Sequence, residues 1–155
     1  MQNTKNSNKY STRQIAFIGV MAAIVFVSNY IQIKIPVGVN DMTRIHVANA
    51  FCLLAGIVLG PVQGGLAAGI GSALADVLSG YMVYAPITFL IKGVMALVTV
   101  FLFKAIDKKG LKQPTKILPL VLAEIIMVSG YFIFEGILYG FAPSAANIPA
   151  NAIQG

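Results

Sequence analysis

Long apolar segments alternate with short polar ones along most of the chain. After a polar lead of residues 1–11, the apolar run of about residues 12–33 can cross a hydrocarbon layer about 30 Å thick as a helix, at about 1.5 Å per residue. KIPVGVNDMTR, residues 34–44, is predicted to be a polar loop. Three further helices are predicted over about residues 45–60, 62–79 and 84–105, and a fifth with Pro119 in its opening turn reaches about Tyr139. The pattern indicates an all-α fold of membrane-spanning helices.

The last segment, GFAPSAANIPANAIQG, has the pattern of a loop followed by the first turns of another helix. Ser144 or Asn147 would cap that helix, and Pro149 suits its first turn. Residues 148–155 are too few to span a bilayer. We therefore expect a six-helix transmembrane bundle whose sixth helix is truncated in this sequence, with residues 1–155 forming a single domain.

Composition supports a membrane protein. Of the 155 residues, 57% are hydrophobic and only 10% are charged, which leaves too little polar surface to cover a water-soluble domain. The net charge of +6 does not indicate nucleic-acid binding, because the basic residues are not interleaved with aromatic ones. Instead they concentrate in segments that would share one side of the membrane: Lys5, Lys9, Arg13, Lys104, Lys108, Lys109, Lys112 and Lys116, against only Lys34 and Arg44 on the other. This asymmetry predicts a multi-pass protein with a cytoplasmic amino terminus.

The third helix, within GGLAAGIGSALADVLSG, carries small residues on every face. Small residues spaced four apart let helix backbones approach closely. A helix that is small all round is expected at the centre of the bundle. Asp76, at its far end, either reaches the membrane interface or faces a cavity.

One lysine, Lys92, interrupts the apolar run TFLIKGVMALVTVFLF, where a charge at mid-membrane costs roughly 2.5 to 3.5 kcal/mol. Counting residues along the helices places Lys92 roughly 12 Å and Glu135 roughly 6 Å below the outer edge, so the two can meet. Glu124 lies nearer the cytoplasmic side and is a poorer partner. The residues expected to form a polar pocket open to the outside are Arg44, His46, Asn49, Asp76, Tyr84, Lys92, Tyr131 and Glu135.

Two interpretations of the buried charges remain open. Lys92 and Glu135 could form a structural ion pair that fixes helix register, or they could bind a ligand, which is the commoner role of charges inside a membrane. His46 is expected to be a helix-start residue, because no second His or Cys stands at metal-ligand spacing. No metal or cofactor is expected.

Catalysis and self-powered transport are not expected. The sequence has no G-x-x-x-x-G-K-[ST] phosphate loop, no H-E-x-x-H and no nucleophile with a base in reach. Glu124 and Glu135 are about 16 Å apart along one helix, too far to act as a catalytic pair. A structural membrane subunit without a pocket remains an alternative.

Several segments together resemble the substrate-binding integral membrane subunits (S components) of the energy-coupling factor (ECF) vitamin transporters. These segments are GVMAAIVFV, RIHVANAFCLLAGIVLGPVQGGLAAGIGSALADVL, YAPITFLIKG, EIIMVSGYFIFEGILYG and IPANAIQG. The branch that the sequence resembles most is the one assigned to hydroxymethylpyrimidine or pyridoxine, with riboflavin or another vitamin as the alternative.

The resemblance implies a six-helix subunit in the bacterial cell membrane that captures a vitamin at the outer face. It also implies partners: a transmembrane coupling subunit and two cytoplasmic ATPases, so that ATP hydrolysis belongs to the partners. Docking in the family uses an A-x-x-x-A face of helix one, matched here by Gly19 and Ala23, with glycine at the first position. These two residues could equally pack within the bundle. The family pocket would add Asn151 and Gln154 to the candidate binding residues.

Overall fold

A computed structural model describes residues 11–35, 43–108, 115 and 117–153, with the backbone alone at residues 34, 35, 43–46 and 150. Most of these residues are helical, as predicted, although the fold also contains a short sheet that an all-α fold would lack. In chain order the elements are α1 (Thr12–Ser28), β1 (Gln32–Ile35), β2 (Thr43–His46), α2 (Ala48–Leu59), α3 (Pro61–Leu78), α4 (Ala85–Lys108), α5 (Ile117–Tyr139), α6 (Phe141–Ala145) and α7 (Ile148–Ile153).

The first helix is shorter than the apolar run that encodes it. Ser11 caps its start in a capping box with Gln14, in which each side chain bonds the other residue's backbone N–H. At the other end, Ser28 Oγ and Asn29 Nδ2 both donate to the carbonyl of Val25, at 2.7 and 2.8 Å. Such local side-chain bonds compete with continuation of a helix. The prediction of helix to residue 33 was therefore wrong by about five residues.

A short antiparallel sheet replaces part of the predicted loop. β1 pairs with β2 so that Gln32 faces His46 and Lys34 faces Arg44. The prediction of loop and helix at these residues was wrong, and α2 begins at Ala48 rather than near residue 45 because the preceding residues are paired in the sheet. Residues 36–42 lie outside the described part of the chain.

Helix α3 lies at the centre of the bundle, as its small residues predicted. It packs against α1, α2 and α4, and its glycines and alanines are buried on several sides. A Cβ atom on Gly64 would lie 2.4 Å from Gly56 Cα, and one on Gly71 would lie 2.4 Å from the carbonyl oxygen of Ala22. Only glycine allows helices to approach this closely at these two positions.

Helices α4 and α5 are each long and apolar enough to cross a membrane, and α1 and α2 are shorter apolar helices. Many large apolar side chains of α5 point away from the protein interior; among them Ile117 and Ile137 are 59% and 74% exposed. Exposed apolar surface of this extent fits a helix that contacts lipid.

The chain turns at Gly140, whose φ of 94° is in the region that favours glycine, and forms the short helix α6, which the sequence did not predict. α7 begins at Ile148, where a sixth helix was expected to start. It packs against α5 and β2. The sheet, the starts of α2 and α4, the ends of α1, α3 and α5, and both short helices thus share one end of the molecule, called here the hairpin end.

Candidate ligand-binding site

Lys92 is buried, with 2% of its surface exposed, on the inward face of α4. Its ammonium group hydrogen bonds to Asn49 Oδ1 and lies 3.0 Å from the sulfur of Met127. It also lies 5.6 Å from the ring centroid of Tyr131, on the face where a cation is attracted to the ring's electrons. The lysine therefore contacts α2 and α5 from α4.

Asn49 brings the start of α2 into this contact. It is the second residue of that helix and is 2% exposed. Its Nδ2 group donates to Met127 Sδ at 2.9 Å, so the same sulfur accepts from both Asn49 and Lys92. The ammonium group is therefore held at the level of the first turn of α2, directly after the β2 strand.

A second chain of hydrogen bonds runs beside the first. Tyr131 Oη donates to Thr88 Oγ1 at 3.1 Å, and Thr88 Oγ1 donates to Asp76 Oδ2 at 2.5 Å. Thr88 and Asp76 are 3% and 9% exposed. Tyr131 joins the two sets of contacts, because its ring faces Lys92 and its hydroxyl bonds to Thr88. Together they form one group, called here the polar cluster: Asn49, Asp76, Thr88, Lys92, Met127 and Tyr131.

Glu135 belongs to a different contact. Its carboxylate accepts from Asn147 Nδ2 at 2.8 Å and so ties the turn between α6 and α7 to α5. Within the described residues, no ion pair joins Glu135 to Lys92. The idea of a structural Lys92–Glu135 pair was therefore wrong: the lysine is held by Asn49, and the glutamate lies one turn nearer the hairpin end, where Asn147 reaches it.

Of the remaining predicted site residues, the structure describes the side chains of Tyr84 and Asn151, and both lie at the hairpin end. Tyr84 packs edge-on against the rings of Phe134, at 5.5 Å, and Tyr81, at 6.3 Å. Asn151 is partly buried in α7. The side chains of Arg44 and His46 lie outside the described structure, although β2 places both residues next to the start of α2. Gln154 also lies outside the described residues.

Glu124 lies two turns from Tyr131 toward the other end of α5. One of its carboxyl oxygens is buried without a hydrogen-bond partner among the described residues. Among the described residues, the carboxylates that interact electrostatically with Lys92 are Glu124 and Asp76, and Glu135 is not one of them, so the expectation that Glu124 is the poorer partner was wrong. In the part of the chain that the structure describes, no three His, Cys, Asp or Glu side chains are placed to hold a metal ion.

Gly19 and Ala23 lie on the outward face of α1, while Ala22 and Val25 point inward. A Cβ atom on Gly19 would meet no described atom within 4 Å. Ala23 lines an apolar groove of about 430 Å³ with Val20, Ile24, Val27, Ser28, Ile31 and Phe51. The alternative that this pair packs within the bundle was therefore wrong.

Three residues of these contacts were missed from the sequence: Thr88, Met127 and Asn147. Thr88 and Met127 each stand four residues before a predicted site residue, Lys92 and Tyr131, and residues four apart share a helix face. That spacing was an available signal for both. Nothing in the sequence indicated Asn147 as a partner of Glu135, because α6 was not predicted.

Comparison with a family model decides the family. The model described as "ECF-type riboflavin transporter, S component" matches residues 9–155. The chain is an ECF S component. A solved structure described as "Structure and mechanism of the S component of a bacterial ECF transporter" agrees with this assignment. It superposes with a TM-score of 0.70 at 26% identity, over 92% of this chain and 86% of that one.

Two curated relatives extend the similarity. An uncharacterized protein in the gap 3′ region of Pyrococcus woesei is 31% identical over 122 residues, covering 79% of this chain and 78% of the relative. A UPF0397 protein of Lactiplantibacillus plantarum is 45% identical over 76 residues, which are 49% of this chain and 38% of that protein. The chain thus matches less than half the length of the second relative.

Membership of the family fixes the general role. S components are integral membrane proteins and are the substrate-binding transport subunits of ECF transporters, not enzymes. The polar cluster and the apolar α4 and α5 helices are consistent with that role. Neither the hydroxymethylpyrimidine or pyridoxine branch nor a full six-helix bundle follows from the comparisons.

Proposed function

We propose that this S component captures a small water-soluble vitamin at the hairpin end, which faces the outside of the cell. The observation that carries the proposal is the polar cluster, in which a buried ammonium group is held by neutral groups inside an apolar helix bundle. Buried ionisable groups in membrane proteins mark ligand or ion paths more often than purely structural contacts.

The chemistry of the cluster suits a heteroaromatic ligand. Lys92 offers a charged donor, Asp76 a carboxylate acceptor, and Tyr131 a ring and a hydroxyl between them. A flat molecule with an acceptor on one edge and a hydroxyl or N–H donor on the other would satisfy these groups. Hydroxymethylpyrimidine and pyridoxine have this chemistry, and the family model adds riboflavin to the candidates.

The orientation rests on the charge distribution. Arg13 begins α1 and Lys104 and Lys108 end α4, so these basic residues lie opposite the hairpin end. Basic residues concentrate on the cytoplasmic side of membrane proteins. We expect a cysteine at Lys109 to be labelled only from the cytoplasm and one at Val39 only from outside; the reverse pattern contradicts an outward-facing site.

The outward face of α1 provides the proposed contact with the transmembrane coupling subunit, through Gly19 and Ala23. Both positions are exposed, and small residues four apart permit close helix approach. Two cytoplasmic ATPases bound to the coupling subunit would supply the energy for release of the vitamin inward.

The test is ligand binding by the purified protein. Riboflavin, pyridoxine and hydroxymethylpyrimidine are added separately, and thermal unfolding and equilibrium dialysis are measured for each. A ligand at about 100 times its Kd raises the stability by about 2.7 kcal/mol, so one vitamin should shift the melting temperature clearly. If none of the three vitamins binds or stabilises the protein, the proposal is wrong.

A further inference from the structure

Met127 accepts hydrogen bonds from two strong donors at the centre of the polar cluster. Its sulfur lies 3.0 Å from Lys92 Nζ and 2.9 Å from Asn49 Nδ2, and its side chain is fully buried. A thioether is a weak acceptor, whereas an ammonium group has three donor hydrogens and binds charged or carbonyl oxygens much more strongly. The sulfur is thus a poor partner for the cation that it contacts.

The other contacts of Lys92 do not make up for this. Its one oxygen acceptor within the described chain is Asn49 Oδ1, and the Tyr131 ring lies 5.6 Å away. Among the described residues, no carboxylate lies within ion-pair distance of the ammonium group. A buried cation held by an amide, a thioether and a ring is under-satisfied compared with one that has several oxygen acceptors.

We propose that Met127 is a specificity-determining residue that fills, in the ligand-free protein, the place of an acceptor group carried by the ligand. The proposal rests on the proposed function. An oxygen acceptor of the ligand, such as a ring carbonyl, phenolate or carboxylate, displaces the sulfur from Lys92, and little energy is lost because the bond that breaks is weak. The thioether keeps the ammonium group positioned without competing with the ligand.

The proposal predicts opposite effects for two substitutions of similar size. Met127→Leu removes the acceptor and leaves the ammonium group dependent on the ligand, so vitamin affinity should rise about threefold or more. Met127→Gln supplies a strong oxygen acceptor that the ligand must displace, so affinity should fall about tenfold or more. A purely structural role for Met127 gives no such divergence.

The experiment measures Kd for riboflavin, pyridoxine and hydroxymethylpyrimidine with the wild-type protein and both variants. Met21→Leu is the matched control: Met21 packs against the buried small residues of α1, α2 and α3 and has no hydrogen bond to Lys92 in the described chain, so the Kd of this variant should stay at the wild-type value. Both Met127 changes are then repeated with Lys92→Met, where each effect on Kd should shrink to below about twofold.

The outcomes separate the two proposals. If the wild-type protein binds none of the three vitamins, the proposed function fails and this inference fails with it. If a vitamin binds but Met127→Leu and Met127→Gln change Kd in the same direction, or not at all, only the exchange at Met127 is wrong. Met127→Leu conserves volume and should fold. If Met127→Gln does not fold, the leucine variant decides the question alone: its vitamin affinity should rise, and that gain should disappear when Lys92 is also replaced by Met.

Discussion

Between α1, α2, α3 and the middle of α4 the interior is filled by small side chains and closely approaching backbones. Between α2, the end of α3, α4 and α5 it holds methionines, an ammonium group and hydrogen-bonded polar side chains. The first region, called here the scaffold core, consists of Ala22, Val25, Cys52, Ala55, Ala67, Ala68 and Ala96. The second consists of the polar cluster and the apolar residues Ile91, Met95 and Ala123 beside it.

The two regions have different capacities for change. In the scaffold core a single added carbon on Gly64 or Gly71 would meet backbone atoms at 2.4 Å, and backbones cannot move aside without separating the helices. In the polar cluster the contacts are made by flexible Lys and Met side chains, which can adopt other rotamers. The difference suggests that the helices around the scaffold core form a fixed part of the molecule, called here the scaffold half. This part positions an adaptable part around the polar cluster, called here the ligand-binding half.

The largest expected effect comes from breaking the scaffold core. Gly71→Val should destabilise the protein by about 3 kcal/mol or more, because its Cβ would overlap the Ala22 carbonyl oxygen and the Val25 side chain. Thermal unfolding in detergent is the measurement. Gly19→Val is the control, since the space beyond Gly19 is open. Equal stability of the two variants would show that the close α1–α3 packing is not required.

The next effect concerns the outward face of α1, which belongs to the scaffold half. Gly19→Leu combined with Ala23→Leu should weaken assembly with the coupling subunit about tenfold or more, because bulky side chains keep the helices apart. Vitamin affinity should stay close to the wild-type value, since both residues point away from the polar cluster. Co-purification and ligand binding are measured together. Lost affinity with intact assembly would assign this face to the site instead.

The smallest expected effect tests whether the α6–α7 turn contributes to the ligand-binding half. Asn147→Ala removes the 2.8 Å bond to the Glu135 carboxylate. A hydrogen bond to a charged group is worth about 1.5 to 3 kcal/mol, but this one is only partly buried, so we expect a loss of about threefold in vitamin affinity. Glu135→Gln should give a similar loss, and the two changes together should cost little more than either alone. Fully additive losses would mean that the two residues act separately.

The scaffold half could be predicted from the sequence better than the ligand-binding half. The central position of α3 follows from small residues such as Gly64 and Gly71, because no other residue type allows such close approach. The depth of Lys92, Asp76 and Tyr131 could be counted along the helices, which correctly brought them together. Depth alone does not give the direction in which a side chain points.

The partners of Lys92 were missed because the sequence does not show in which direction the side chains of α4 and α5 point. α5 is apolar on nearly every face, so its sequence does not show which side meets α4 or which of its residues reach Lys92. The strands β1 and β2 were missed because a four-residue strand in a polar connection gives little periodic signal. The contact of Glu135 with Asn147 depends on the turn after α6, which only the folded chain defines.

The central claim is that Lys92 lies inside the membrane bundle to bind a vitamin. Its direct test is the Kd of the vitamin for Lys92→Met, Glu135→Gln, the double variant and the control Lys104→Met, which changes an exposed lysine at the opposite end. The account predicts that Lys92→Met folds normally, because an apolar side chain of similar length replaces a buried charge. Its affinity should fall at least about tenfold through loss of a charge-assisted hydrogen bond, the double variant should not recover it, and Lys104→Met should bind normally. Affinity near the wild-type value in Lys92→Met or in the double variant would contradict the claim.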